Sequence, residues 1–152
     1  MHIILSNPRA MRYWSTPPHQ ELAQTAAWLD AMIAAPRHES DDFVITRDDA
    51  VIGKLGAWRL PEIGFILAPG DWGRGFASEA LAAFLLHAFA RPELQRLTAD
   101  VDPRNLASLT LLERHGFVRT GFGVGTWTTH IGLCDSVYLA LERETFLRLR
   151  QG

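Results

Sequence analysis

Between Leu67 and Ala77 the character of the chain changes, and that change restricts the fold more than any other feature of the sequence. Before it lie three runs of strand length, Phe43 to Thr46, Val51 to Trp58 and Glu62 to Leu67, parted by a turn at Arg47-Asp48-Asp49 and by Pro61. Connections this short predict an antiparallel meander. After the change, Ala77, Ala80, Leu81, Phe84, Leu85, Ala88 and Phe89 recur at helical spacing until Pro92 ends the helix. The polypeptide therefore passes from a strand, through a segment holding Gly70, Gly73 and Gly75, into the clearest helix of the chain.

The flanking regions complete the pattern. Thr16-Pro17-Pro18 predicts a helix start, with Leu22, Ala26, Leu29 and Ile33 at helical spacing and Pro36 as the stop. Leu97, Ala99 and Val101 alternate with Thr98, Asp100 and Asp102 as a strand does, and Pro103 ends the run. A short helix from about Asn105 to His115 follows, with Gly116 as its C-terminal cap. Phe117 to Phe122 and Asp135 to Leu141 read as two last strands, joined through glycines that predict a loop or a bulged hairpin. The order is helix, three strands, helix, strand, helix, two strands. It predicts an α/β (α+β mixed) fold with helices on the faces of a mixed sheet. With 152 residues, 47% of them hydrophobic, the chain can enclose one sizeable core, so we expect one domain over residues 1–152.

Composition excludes several classes of function. A formal net charge of −2 gives no global attraction to nucleic acid or anionic lipid, so neither is an expected partner. Cys134 is the only cysteine, which excludes an internal disulfide and any metal site that needs two thiolates. The start lacks a basic segment leading into a long apolar run, and no uninterrupted apolar stretch of about 18 residues occurs, so a cytoplasmic location is expected. The six histidines are scattered, and no metal is expected. Trp14, Trp28, Trp58 and Trp127 have no accompanying basic stripe and read as core or pocket wall.

Attention therefore falls on the glycine-rich switch. Glycines let the backbone approach a ligand closely, and the helix start that follows has amides with no partner inside the helix. Those donors and the positive end of the helix dipole favour an anion. A Walker loop is absent, because no GxxxxGK is present. A dinucleotide fingerprint fits poorly: Ser78 stands where a third glycine or alanine is wanted, an antiparallel meander precedes the loop, and too little chain remains for a doubly wound sheet.

The stretch Trp72-Gly73-Arg74-Gly75-Phe76-Ala77, followed by Ser78, resembles the acetyl-CoA motif of the GNAT N-acetyltransferases, with Trp in its first position as in the RimJ/RimL-like branch. Asn105-x-x-Ser108 leading to Gly116-Phe117 resembles the second motif of that branch, and MRYWSTPPH near the start is also similar. The resemblance covers roughly Phe43 to Leu141. It implies a GNAT-like central sheet, mostly antiparallel, with a V-shaped splay between the strand Glu62 to Leu67 and the strand Leu97 to Val101. Such proteins usually begin with a strand ahead of the first helix, and this chain begins inside or just before that helix, so the expectation is either that one edge strand is missing or that the given start is late. An unpaired edge would favour a homodimer.

The resemblance further implies acetyl transfer from acetyl-CoA, a co-substrate, to a primary amine, either a protein N-terminus or a small amine. Attack would be direct, in a ternary complex. Trp72 through Ser78 would bind the diphosphate, and Phe65, Ile66 and Leu67 would meet the pantetheine arm with backbone groups left free by the splay. The amine must lose a proton before it attacks, so a base is needed. Glu62, at the start of the splayed strand, is the first choice, with Asp135, Asp100 and His130 open. Many relatives carry a Tyr acid where this chain has Leu112, and the matching serine of the branch faces the thiol. The acid or thiolate-stabilising role thus falls to Ser108, and Asn105 would orient cofactor or substrate. The rival reading is a non-catalytic acyl-CoA-binding or regulatory module.

Overall fold

A computed structural model of the chain describes residues 1–151. In chain order its elements are α1 His2–Leu5, α2 Leu22–Ala34, β1 Asp41–Arg47, β2 Ala50–Arg59, β3 Glu62–Leu67, a 3-10 turn Pro69–Asp71, α3 Phe76–Phe89, β4 Arg96–Val101, α4 Leu106–Arg114, β5 Val118–Thr129, β6 Gly132–Glu142 and α5 Arg143–Gln151. The strands form one sheet in the order β1-β2-β3-β4-β6-β5. Every neighbouring pair is antiparallel except β3 with β4. The architecture is the mixed, mostly antiparallel sheet flanked by helices that the sequence predicts. Among the described residues no strand precedes α1, and β1 is an edge of the sheet.

One face of the sheet carries most of the core. The alternation in β4 buries Leu97, Ala99 and Val101, and α3 lays Leu81, Phe84, Leu85, Ala88 and Phe89 onto the same cluster. Leu109 and Leu112 of α4 and Phe146 of α5 complete it. Each large side chain buried here contributes about 1.5–3 kcal/mol relative to exposure. The opposite face is covered more lightly, by Ile4, Leu5 and Met11 against Ile66, with Trp14 and Trp28 packed alongside.

Two expectations need correction and two are narrowed. First, α2 begins at Leu22 rather than at Thr16-Pro17-Pro18, because Glu21 and Gln24 form a reciprocal capping box there. Second, the apolar stripe of α2 is not a core face. Leu22 is 67% and Ile33 is 80% exposed, and the buried residue of this helix is Thr25, whose hydroxyl lies 2.7 Å from His2 Nδ1 and 2.8 Å from His19 Nδ1. Third, of the loop or bulged hairpin expected between the last two strands, the structure has the bulged hairpin: β5 and β6 pair up to Thr129↔Gly132, with a register shift between Gly123 and Trp127. Fourth, Trp58 and Trp127 are about half exposed, at 54% and 52%, and lie outside the core. No helix among the described residues is long and apolar enough to cross a membrane.

Candidate active site

The splay between β3 and β4 sets the site. β4 pairs with β6 along its whole length, from Arg96↔Glu142 to Val101↔Val137. With β3 it is in register only at Glu62↔Thr98, where the Thr98 amide also donates to the Pro61 carbonyl at 2.9 Å. Beyond that point the strands part, and the β4-facing backbone of Phe65, Ile66 and Leu67 has no strand partner. The other edge of β3 is held by β2 through Leu55↔Phe65, Lys54↔Ile66 and Gly53↔Leu67. That approach is close: a Cβ on Gly53 would lie 2.4 Å from the Ile66 carbonyl oxygen. Ile66 and Leu67 bury their side chains, so the gap receives main-chain groups.

At the end of β3 the chain turns over the mouth of this gap. Trp72 Nε1 donates to the Leu67 carbonyl at 3.0 Å, and Asp71 Oδ1 accepts from Arg47 Nη1 at 2.8 Å and from Arg74 Nη1 at 3.4 Å. Gly73 and Gly75 have φ of 68° and 85°, while a Cβ at either would meet nothing within 4 Å. Backbone conformation rather than crowding therefore asks for glycine at both positions. Gly75 is the N-cap of α3 and offers no side chain to the helix start. The amides of Gly73, Arg74, Gly75, Phe76, Ala77 and Ser78 have no acceptor among the described residues, and Glu79 is the first to find one, on the Gly75 carbonyl at 3.0 Å. The guanidinium groups of Arg47 and Arg74 lie 5.3 and 5.1 Å from the Phe76 ring. A row of free donors, a helix dipole and two cations are features that would suit an anion at this turn.

Ser78 divides its groups. Its amide is free, but its hydroxyl lies 2.8 Å from His115 Nε2 at the end of α4. Burial holds the His115 pKa below the ordinary histidine value.

Near the closed end of the gap two carboxylates interact, Glu62 on β3 and Asp100 on β4. Glu62 is exposed as a residue, yet its carboxyl sits partly out of water. That burial, and secondarily the charge of Asp100, raises its pKa above the ordinary glutamate value. Asp100 accepts from Trp127 Nε1 at 2.9 Å. The other two candidates stand differently. Asp135 accepts the Gly125 amide at 2.8 Å and braces the hairpin bulge, and His130 is exposed at the hairpin tip. Asn105 is the N-cap of α4, its Oδ1 accepting the Ser108 amide at 3.3 Å. This leaves the Asn105 amide NH2 for other contacts. The half-buried Ser108 hydroxyl has no partner among the described residues. Tyr13 donates to the Arg104 carbonyl at 3.4 Å and ties the N-terminal segment to the start of α4.

Sequence reasoning missed one ionic feature. Lys54 and Asp42, on adjacent strands, are both almost fully buried, with Nζ 2.6 Å from Oδ1. Neither oxygen of Asp42 has a well-directed hydrogen bond, so the pair is held by charge attraction rather than by hydrogen-bond geometry. Trp14 and Trp28 flank the ammonium at 5.7 and 6.0 Å. The lysine inside an otherwise apolar run of β2 was the available signal. No cluster of three or more metal-ligating side chains occurs among the described residues.

Residues 1–118 match the family model described as an acetyltransferase (GNAT) domain. The uncharacterised N-acetyltransferase p20 of Bacillus licheniformis is 27% identical over 125 residues, 76% of this chain and 70% of that protein. The probable N-acetyltransferase YjcK of Bacillus subtilis is 33% identical over 96 residues, 55% of this chain, and the alignment spans about half of that relative, 53%. Among solved structures, spermidine N-acetyltransferase from Vibrio cholerae, in complex with CoA and spermine, superposes with a TM-score of 0.79 at 22% identity, covering 96% of this chain and 89% of that one. The match over residues 1–118, on a sheet of this topology, places the chain in the GNAT acetyltransferase family.

Proposed function

We propose that this chain is an acetyl-CoA-dependent N-acetyltransferase that moves acetyl to a primary amine in a ternary complex, as a single domain over residues 1–152 and in the cytoplasm. The observation that carries the reading is the row of unpartnered amides from Gly73 to Ser78 beside the opening of β3 from β4. Those amides would hold the diphosphate, with Trp72 bracing the turn and Arg74 adding charge. The free main chain of Phe65, Ile66 and Leu67 would bond the amides of the pantetheine arm.

Acetyl-CoA supplies an activated acyl group. The residues supply positioning and proton handling. Glu62, with a raised pKa, would accept a proton from the incoming ammonium, directly or through water. Ser108 would donate its free hydroxyl toward the departing sulfur, with Asn105 fixing the first turn of α4 beneath it. The neighbouring carboxylates Glu62 and Asp100 favour a cationic acceptor, such as a small polyamine or a peptide N-terminus. The Vibrio cholerae relative acts on a polyamine, in line with this class. The Trp72 position and the Asn105-x-x-Ser108 pattern favour the RimJ/RimL-like branch.

The test is release of free thiol from acetyl-CoA with a panel of polyamines, amino acids and peptides, beside thermal stabilisation by CoA. Amine-dependent thiol release with CoA stabilisation is expected. Stabilisation without thiol release on any amine would favour a non-catalytic acyl-CoA-binding module, and no stabilisation would remove the reading altogether.

A further inference from the structure

The proposed transfer leaves one buried ion pair without a task. The side chains of Lys54 and Asp42 are 4% and 2% exposed. Asp42 stands opposite Gly56 in the β1–β2 ladder, where a Cβ would lie 2.7 Å from Asp42 Oδ1, so a position without a side chain admits the carboxylate. Lys54 stands opposite Ile66 on β3, and alternation puts Glu62, Gly64 and Ile66 on that same face. Trp14 closes over it. Its Cη2 is 3.9 Å from where a Cβ on Gly64 would stand, and Lys54 Nζ lies 5.7 Å from its ring centre. The preceding residue, Tyr13, reaches the opposite strand's side, donating at 3.4 Å to the carbonyl of Arg104 beyond the end of β4. Arg104 is itself held by Asp102 through bonds of 2.9 and 2.6 Å. Tyr13 and Trp14 thus straddle the gap between β3 and β4, one fastened on each side.

We propose that Lys54 and Asp42 are positioning residues for the incoming amine: the buried pair fixes Trp14 at Gly64, and the indole then walls the amine's path to Glu62. The inference rests on the reading that Glu62 receives the amine's proton. A desolvated ammonium attracts an aromatic face more strongly than a hydrated one, and Asp42 supplies the charge that keeps Lys54 tolerable there. Trp14 is half-buried, so part of its ring is left for a substrate. An aromatic wall beside Glu62 and Asp100 suits an alkylammonium, whose methylenes meet the ring while the carboxylates meet the charge. A purely structural role is available to the pair, and buried pairs of that kind are often replaced by apolar groups without loss of stability. That role would not single out the amine.

The experiment measures acetyl transfer by the full chain at saturating acetyl-CoA, against the concentration of whichever polyamine, amino acid or peptide the wild type turns over fastest. Two variants are compared with it. Lys54→Met/Asp42→Asn removes both buried charges and keeps their approximate shapes. Gly64→Ala sets a methyl at ordinary contact distance from Trp14, without touching the pair. Calorimetry gives the CoA affinity of each, and a thermal melt its folding. Both variants should raise the amine KM about tenfold, with kcat and CoA affinity within about twofold of the wild type. An unchanged amine KM in either variant would overturn the inference and leave the proposed function standing. So would a parallel loss of CoA affinity, or a double variant that does not fold, since each marks a structural role. No turnover of any amine by the wild type would overturn the acetyltransferase reading, and this inference with it.

Discussion

β4 has two neighbours and joins them differently. On the β6 side it is paired from Arg96 to Val101, and Leu97, Leu139 and Leu141 close the core beneath that seam. On the β3 side it is in register at Thr98 alone, and the strands then separate with main-chain groups unspent. The same strand thus supports stability along one edge and leaves polar backbone available for a ligand along the other. A sheet fused on both sides would be sturdier and would have nowhere to bind an extended, amide-bearing molecule.

The contrast can be broken at either edge. The largest effect is expected on the fused side: Leu139→Ala, at a position 1% exposed, should cost about 2–5 kcal/mol in urea unfolding. On the open side Ser108→Ala should leave urea stability nearly unchanged and lower kcat by about a hundredfold, the low end for a lost general acid, with little change in CoA affinity. An unchanged kcat would remove Ser108 from the mechanism. Gly75→Val forces a β-branched residue to the turn's φ of 85°, which costs about 1–3 kcal/mol. Because Gly75 is exposed, the strain should appear mainly as about a tenfold loss of CoA affinity by calorimetry. If Gly75→Val binds CoA as the wild type does, the backbone argument for the diphosphate site fails.

The smallest effect concerns pH. The Glu62 pKa is raised in the folded chain, first by burial and then by Asp100, so over an interval above the ordinary glutamate value the folded state holds a proton that the unfolded state has lost. Stability then falls as pH rises through that interval, and Glu62→Gln should be more stable than the wild type above it. The acid limb of kcat/KM should lie above the ordinary glutamate value, and Asp100→Asn should move it part of the way down, because burial remains. A limb that ignores Asp100→Asn would point to another base.

What the sequence disclosed followed physical strength. The alternation of β4 and the spacing of α3 are dictated by burial on one face, so both were legible in the order of residues. The turn before α3 was legible because glycine at 73 and 75 answers a backbone need that few other residues meet. In α5, Phe146 is the one buried residue, too weak a signal for a helix of nine residues. The stripe on α2 was misleading for a related reason: spacing reveals that Leu22 and Ile33 share a face, but not whether anything covers it. The long β5–β6 hairpin was obscured by its glycines, which here accompany a bulge. Among the site residues, the part played by Asn105 as a cap and the Glu62–Asp100 pairing needed three dimensions. They depend on the ψ of one residue and on a sheet that opens after a single registered pair.

The claim on which the rest depends is that the turn at the end of β3 binds a diphosphate through its backbone. A crystal structure of the chain with coenzyme A tests it most directly. The account predicts diphosphate oxygens within about 3 Å of amides between Gly73 and Ser78, with the pantetheine arm running into the gap past Leu67. Coenzyme A bound elsewhere, with those amides turned to other partners, would contradict it.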